Sequence, residues 1–352
     1  MRPDEQALRA SIVIVNYNGG ARIIACLACL LETLDSCAEV IIVDNASSDG
    51  SPEQIETAYP GIQLIRAGAN LGFGAGCNLG TRHARGAHVV FLNPDTTVTE
   101  GWLRELLGEL DRNNPALVTS KILMADDPSK INTCGNRIHL TGLTLCRGIN
   151  GPQESYSTRE EVDAVSGAAF GISRELFQRL GGFDEEMFLY VEDTDLSLRA
   201  RLAGARCWFT PASVVEHDYR LKITPLKTFY QERNRYLMLL KNFRWATLAV
   251  LSPALLAAEC ISWGFVILRD KLNFGNKIRA YRWLLDNRRL IMEQRRTAQS
   301  LRRVTDRSIL RSLAIRLDFE QAASPTVAFL AHVAFDPFFL LNKIAAMAIV
   351  WW

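Results

Sequence analysis

The sequence predicts an α/β domain, a mostly parallel sheet with helices on both faces, followed by a basic and apolar helical region. Three observations predict it. Short β-branched runs at Ser11–Asn16, Glu39–Val43, Gln63–Arg66 and His88–Leu92 alternate with helical or turn-rich segments, the pattern of strands joined by crossover helices. Polar residues follow three of these strands in the same manner, namely Asn16, Asp44 and Asp95, which places them along one edge of the sheet, where α/β proteins bind ligands. The third observation is charge: residues 1–240 hold 23 Lys and Arg against 30 Asp and Glu, whereas residues 241–352 hold 17 against 8. The boundary between the two regions is therefore set at residue 240.

In chain order, the first strand turns through Tyr17–Gly20 into the helical run ARIIACLACLLETL, which places Cys26 and Cys29 among apolar side chains. Without a second pair at zinc-binding spacing, these thiols read as reduced core residues. The second strand ends in Asp44 and Asn45 ahead of the turn ASSDGS. After the third strand comes NLGFGAGCNLG, residues 70–80, whose position and spacing exclude a dinucleotide fingerprint. It is expected to form a close-packed loop whose glycines admit backbone to a ligand, with Asn70 and Asn78 fixing it or touching the ligand. The fourth strand runs into Asn93-Pro94-Asp95, a turn that carries the Asp95 carboxylate just past the strand end.

Beyond it, Gly101–Arg112 is expected to be a helix and Ala116–Lys121 a fifth strand, while residues 125–160 lack clear periodicity and leave a β-excursion or a loop open. His139 in that stretch reads as a surface histidine. Ser173 is positioned to cap a helix that the Gly181-Gly182 pair stops. Glu192, Asp193 and Asp195 follow the aromatics Phe188 and Tyr190 and begin an amphipathic helix; three acids in four residues exceed what a cap requires. A final strand, Cys207–Val215, ends at Glu216, His217 and Asp218.

A hydrophobic content of 48% with 22% charged residues describes an ordered chain. The acidic first region excludes a nucleic-acid grip there, and no recognition motif accompanies the basic residues of the second. The N-terminus lacks the apolar run of a signal peptide, so a cytosolic chain is expected. Acids at several strand ends, a glycine-rich segment, a separate acidic cluster and a late histidine suit a reaction in which a metal-bound diphosphate leaves while a carboxylate activates a hydroxyl. That combination points to sugar transfer from a nucleotide sugar, with phosphoester hydrolysis as the competing chemistry.

Six segments in order, SIVIVNYNG, VDNASSDGS, NLGFGAGCNLG, FLNPDTTV, residues 165–204 and RNRYLMLLKN, carry a resemblance over about two thirds of the chain. The chain resembles the family 2 glycosyltransferases of the GT-A fold, in particular the bacterial rhamnosyltransferase-like branch. The resemblance implies a Rossmann-like, nucleotide-sugar-binding mixed sheet flanked by helices and an inverting transfer that uses Mg²⁺ or Mn²⁺. It places Asn16, Asp44, Asn70, Gly72, Asn78, Asn93 and Asp95 at the donor, with Asp44 near the nucleoside. Asp95 corresponds to the last acid of a D-x-D metal motif whose first acid is Asn93 here, and His217 is implied as a second metal ligand. Asp193 is the implied general base, and Glu192 and Tyr190 are candidates for the acceptor side. Arg233 and Arg235 are candidates for the diphosphate. The implied donor is dTDP-rhamnose, with a UDP- or GDP-linked sugar as the alternative, and the implied acceptor is a polyprenyl-diphosphate-linked saccharide or surface polysaccharide. A noncatalytic carbohydrate- or nucleotide-binding module is the alternative of another class.

Two apolar runs, Trp245–Leu268 and Ala322–Trp352, flank an arginine-rich middle. Single crossings would put those arginines on the far side of a membrane, against the tendency of basic segments to stay cytoplasmic. Interface-lying or re-entrant helices at the cytoplasmic face are expected instead. A homo-oligomer is the other way to cover such faces.

Overall fold

The computed structural model describes residues 8–34, 36–218, 225–269, 274–318 and 325–352. Residues 1–7, on which the cytosolic expectation rests, and the first residues of the second apolar run, 322–324, lie outside them. The chain divides into two compact units. The first comprises residues 1–136, 146–200 and 205–220, and the second comprises 137–145, 201–204 and 221–352. The division therefore falls some twenty residues before residue 240, because Pro225–Asn242 is a helix of the second unit.

The first unit alternates as expected: β1 (Ala10–Asn16), α1 (Ala21–Glu32), β2 (Ala38–Asp44), α2 (Ser51–Ala58), β3 (Gln63–Arg66), α3 (Phe73–His83), β4 (His88–Leu92), β5 (Thr96–Val98), α4 (Trp102–Arg112) and β6 (Ala116–Met124). Residues 125–160 form a β-excursion that holds β7 (Ile131–Thr133), β8 (Asn136–Ile138) and β9 (Thr144–Cys146). Then come β10 (Glu160–Glu161), β11 (Ala169–Ser173), α5 (Arg174–Arg179), α6 (Glu192–Leu202) and β12 (Arg206–His217). Among the described residues one sheet has the order β10-β12-β6-β11-β4-β1-β2-β3, with β5 added to β12 and β7 to β6.

The sheet is mixed rather than simply parallel. Strands β4, β1, β2 and β3 run parallel, but β11 lies antiparallel between β4 and β6. Its register sets Ala169 opposite Leu92, so the residues just before Ala169 run beside the turn that follows β4. Every residue of β1 is buried, as a central strand covered on both faces requires. On one face, Ile12 and Ile14 join Leu27 and Leu30 of α1 and Trp102, Leu106 and Leu110 of α4 in the core.

The opposite face explains the glycine-rich segment. Gly74, Gly76 and Gly80 lie inside α3, and a methyl group at Gly80 would stand 2.5 Å from Val13 Cγ1, one at Gly76 2.9 Å from Val15 Cγ1. Gly76 and Gly80 bring the helix onto β1, and Gly74 admits Phe183, whose Cβ would stand 2.9 Å from an added methyl group. Ser173 caps α5 by accepting the Leu176 N–H, as the sequence indicates.

The second unit contains α7 (Pro225–Asn242), α8 (Trp245–Arg269), α9 (Phe274–Asp286), α10 (Arg288–Ser300), α11 (Asp306–Ser312) and α12 (Pro325–Ile349). The segments Trp245–Gly264 and Thr326–Ile349 are long and apolar enough to cross a membrane by length and composition. His139 belongs to this unit and corrects the expectation of a surface residue: its ring is fully buried, meets Phe339 edge-on and shares a hydrogen bond of 2.7 Å with Thr141 Oγ1. Burial pushes its pKa down to about 4, so it is a neutral core side chain.

Candidate active site

Strand register brings three groups of polar residues to one edge of the sheet. Asn93 follows β4, and its N–H donates to Ala168 O at 2.9 Å. One residue earlier in that neighbouring segment, Gly167 N–H donates to Asp193 Oδ2 at 2.7 Å. The Asn93–Asp95 turn and the acidic start of α6 therefore grip adjacent residues of the same segment. From the other side, β5 pairs with β12 so that Thr96 opposes His217, and Asp218 N–H donates to Asp95 O at 3.0 Å.

Asp95 and His217 meet directly. His217 Nε2 stands 3.3 Å from Asp95 Oδ1, an oxygen that is buried and lacks a hydrogen bond of good geometry among the described residues. Burial pushes the Asp95 carboxyl up, but His217 beside it more than offsets this and holds it below the usual carboxylate range. A buried carboxylate oxygen and an imidazole nitrogen facing one another fit a divalent cation of the Mg²⁺ or Mn²⁺ type, whose remaining positions take phosphate oxygens and water. Among the described residues no larger cluster of His, Cys, Asp or Glu gathers, so the fit is to two protein ligands and a diphosphate.

The acid pair is built by a tight approach. Phe188, Tyr190 and Val191 have φ of 58°, 69° and 72°, a left-handed region in which a β-branched residue such as Val191 is strained. The segment is held from below: Phe188 O accepts the Phe73 N–H at 2.8 Å, and a methyl group at Gly72 would lie 2.3 Å from that carbonyl oxygen. Asn78 adds a second tie, accepting the Phe183 N–H and donating to Phe183 O and Glu185. Out of this segment α6 begins with Glu192 and Asp193.

Those two carboxyls differ in their partners. Asp193 Oδ1 accepts the Thr194 N–H and hydroxyl and Oδ2 accepts the Gly167 N–H. Glu192 Oε2 is buried with no hydrogen-bond partner among the described residues. Burial and the neighbouring Asp193 charge push the Glu192 carboxyl up to about 8, and burial also raises Asp193. Two adjacent buried carboxyls resist simultaneous ionisation; the backbone donors favour charge on Asp193 and leave the proton with Glu192. Tyr190 is half-buried beside them, and burial and the Glu192 charge raise its hydroxyl. Asp195 stands apart, paired with Arg199 Nε at 2.8 Å within the helix.

Several of the expected donor residues hold hydrogen bonds within the chain. Asn16 is fully buried and its amide donates to Asp44 Oδ1, Ser47 Oγ and Ser51 Oγ while accepting the Gly19 N–H. Asp44, also buried, accepts the Ser47 N–H. Asn70 accepts the Gly72 N–H, Gly72 O accepts from Asn45, and Asn78 is spent on the 183–185 turn. Together they set the shape of the sheet edge. Arg233 and Arg235 belong to the second unit, where both are buried. Arg233 lies over Tyr230 and Trp283, and Arg235 pairs with Glu232 and Glu259. Asn132, which nothing in the sequence singles out, stands against His217 with its Oδ1 3.1 Å from Nδ1.

Residues 11–181 match the family model described as glycosyl transferase family 2. The chain is similar to N-acetylglucosaminyl-diphospho-decaprenol L-rhamnosyltransferase of Mycobacterium tuberculosis (strain ATCC 25618 / H37Rv), 29% identical over 229 residues that cover 58% of this chain and 75% of the relative. It is also similar to dTDP-rhamnosyl transferase RfbF of Shigella flexneri, 25% identical over 252 residues, 65% of this chain and 79% of the relative. Among solved structures, GalNAc-T7 with UDP, GalNAc and Mn²⁺ superposes with a TM-score of 0.56 at 20% identity, covering 68% of this chain and 48% of that one. S. aureus TarS 1-349 in complex with UDP-GlcNAc gives 0.54 at 13% identity, covering 96% and 89%. The fold is of the GT-A type.

Proposed function

Through residues 11–181 the chain belongs to glycosyl transferase family 2, and from that premise we propose an inverting sugar transfer from a nucleoside-diphosphate sugar to the hydroxyl of a lipid-linked saccharide. The observation that carries the reading is the Glu192–Asp193 pair, anchored on Gly167 next to the segment that holds the Asn93–Asp95 turn. L-Rhamnose from dTDP-rhamnose is the preferred donor, supported by the two rhamnosyl-transferring relatives. A polyprenyl-diphosphate-linked acceptor is supported by the name of the first of them.

In this reading Asp193 takes the proton from the acceptor hydroxyl as its oxygen bonds to the anomeric carbon and the bond from that carbon to the diphosphate breaks. The nucleoside diphosphate leaves with the electron pair, and the configuration inverts. Gly167 and Thr194 orient the Asp193 carboxylate, and the protonated Glu192 keeps a second negative charge away from it. Asp95 and His217 would hold Mg²⁺ or Mn²⁺, which supplies charge to offset the departing diphosphate. Tyr190 and Glu192 border the acceptor side.

Membrane attachment through the second unit belongs to the same proposal. It is supported by α8 and α12, few of whose apolar residues are buried, and by the exposed Arg279, Arg282, Arg288, Arg289 and Arg296 on α9 and α10, a composition suited to anionic headgroups at the cytoplasmic face.

The test is incubation with a panel of labelled nucleotide sugars, divalent cation and a membrane lipid extract, followed by counting label in the lipid fraction. Transfer from dTDP-rhamnose is expected, and Asp193→Asn is expected to lower turnover by about 10²- to 10⁴-fold with donor affinity retained. Donor binding without transfer or hydrolysis by the wild type across acceptors and cations would instead establish a binding module.

A further inference from the structure

Asn132 lies on β7, where the pairing of β7 with β6 is irregular: Thr133 opposes Ile122 and Ile131 opposes Leu123. Such irregularities re-aim side chains beside functional sites. On the other flank of β6, β12 delivers His217 opposite Met124. The two side chains meet there, with Asn132 Oδ1 3.1 Å from His217 Nδ1. Asn132 is 3% exposed, and its Nδ2 has no hydrogen-bond partner among the described residues. The residue thus accepts the cost of a buried, half-satisfied amide, which its contact with the histidine offsets only if that contact matters.

The arrangement has a directional consequence. A carbonyl oxygen only accepts, so opposite Asn132 Oδ1 the ring carries its proton on Nδ1. Nε2, the nitrogen that faces Asp95 Oδ1 at 3.3 Å, is then the one whose lone pair a cation takes in place of a proton. A hydrogen bond to the remote ring nitrogen is how proteins set which nitrogen of a histidine binds a cation. We propose that Asn132 is a positioning residue that fixes the His217 tautomer and ring orientation for divalent-cation binding through Nε2. This rests on the reading of Asp95 and His217 as the cation ligands.

The experiment measures Mn²⁺ binding in the presence of dTDP by the loss of the free-ion electron paramagnetic resonance signal, with no turnover involved. Four proteins are compared: wild type, Asn132→Leu, Asn132→Asp and His217→Ala; a fifth carries both Asn132→Leu and His217→Ala. Asn132→Leu is expected to weaken Mn²⁺ by about 10- to 100-fold, the range for loss of a partner behind a ligating histidine. Asn132→Asp keeps an acceptor at the same place and is expected to retain wild-type affinity or exceed it, which also guards against a loss caused by poor folding of the leucine variant. In the His217→Ala background, adding Asn132→Leu is expected to cost nothing further. Wild-type affinity in Asn132→Leu, weakened binding in Asn132→Asp, or a leucine penalty that persists without His217 would each overturn the inference while leaving the cation ligands in place. Absence of Mn²⁺ binding by the wild type would overturn the ligand assignment and the inference together.

Discussion

Glu192 is the residue whose ionisation most directly couples the site to stability. Its carboxyl is pushed up to about 8 by burial and by Asp193, far above an ordinary glutamate. A raised carboxyl pKa means that the folded protein holds this proton more tightly than the unfolded chain does. The stabilisation is complete below the unfolded value near 4.5 and is lost as pH rises through 8. Glu192→Gln removes the titration while keeping shape and neutrality. The variant is expected to melt several degrees above wild type at about pH 8.5 and to converge with it near about pH 5; parallel melting curves across that range would show that Glu192 does not hold its proton. Asp193 sits next to it yet serves differently, because its three donors from Gly167 and Thr194 stabilise the charged form. Adjacent acids of one motif therefore separate into a proton holder and a carboxylate because burial and proximity resist two charges and the donors around Asp193 hold the one charge there.

Helix α3 shows what an element contributes. It sits on β1 because Gly76 and Gly80 have no side chain, and Gly80 is the tighter of the two. Gly80→Ala would drive a methyl group to 2.5 Å from Val13 Cγ1 on a fully buried strand and is expected to destabilise the fold by about 1–3 kcal/mol. Gly108, inside α4, has nothing within 4 Å of its added methyl group. Gly108→Ala is expected to stabilise by about 0.5–1 kcal/mol, the ordinary gain for a helix interior. Chemical denaturation of the two variants checks the opposite signs. The strand-to-turn rhythm that locates β1 to β4, and the acids beyond their ends, is legible in the sequence because alternation of apolar runs and turn residues is a local property. The role of the α3 glycines is not, since a glycine that admits a ligand and one that admits Val13 have the same local sequence. His139 went the same way: nothing within the 125–160 stretch signals Phe339, with which it packs.

At the scale of the whole molecule the charge division recurs as two units, the first holding the acids of the site and the second the exposed arginines. On α12, Leu330, Val333, Leu341 and Ile344 are each more than half exposed and recur on one face of the helix, since residues eleven apart nearly eclipse. If that stripe enters a lipid interface, replacing Leu330 and Leu341 with lysine removes two apolar contacts of about 1.5–3 kcal/mol each. Co-sedimentation with vesicles containing phosphatidylglycerol is expected to fall at least about tenfold. Failure of the wild type to sediment, with elution as a larger particle, would assign the stripe to contacts between copies of the chain.

The sequence by itself determined the α/β class, the alternation of the parallel strands β1 to β4 with helices, and the placement of Asp95, Asp193 and His217 at the ends or starts of elements. All of these follow from composition, short-range periodicity and motif order. Tertiary structure alone decided which partners each polar residue finds. It gave Asn16 and Asp44 partners at the sheet edge and Asn78 partners in the 183–185 turn, inserted β11 antiparallel into the sheet, and brought Asn132 to His217. The physical reason is that a polar side chain's role depends on whether its hydrogen-bonding capacity is already used. Its partners come from strands and turns far away in the chain, eighty-five residues away for His217 and Asn132.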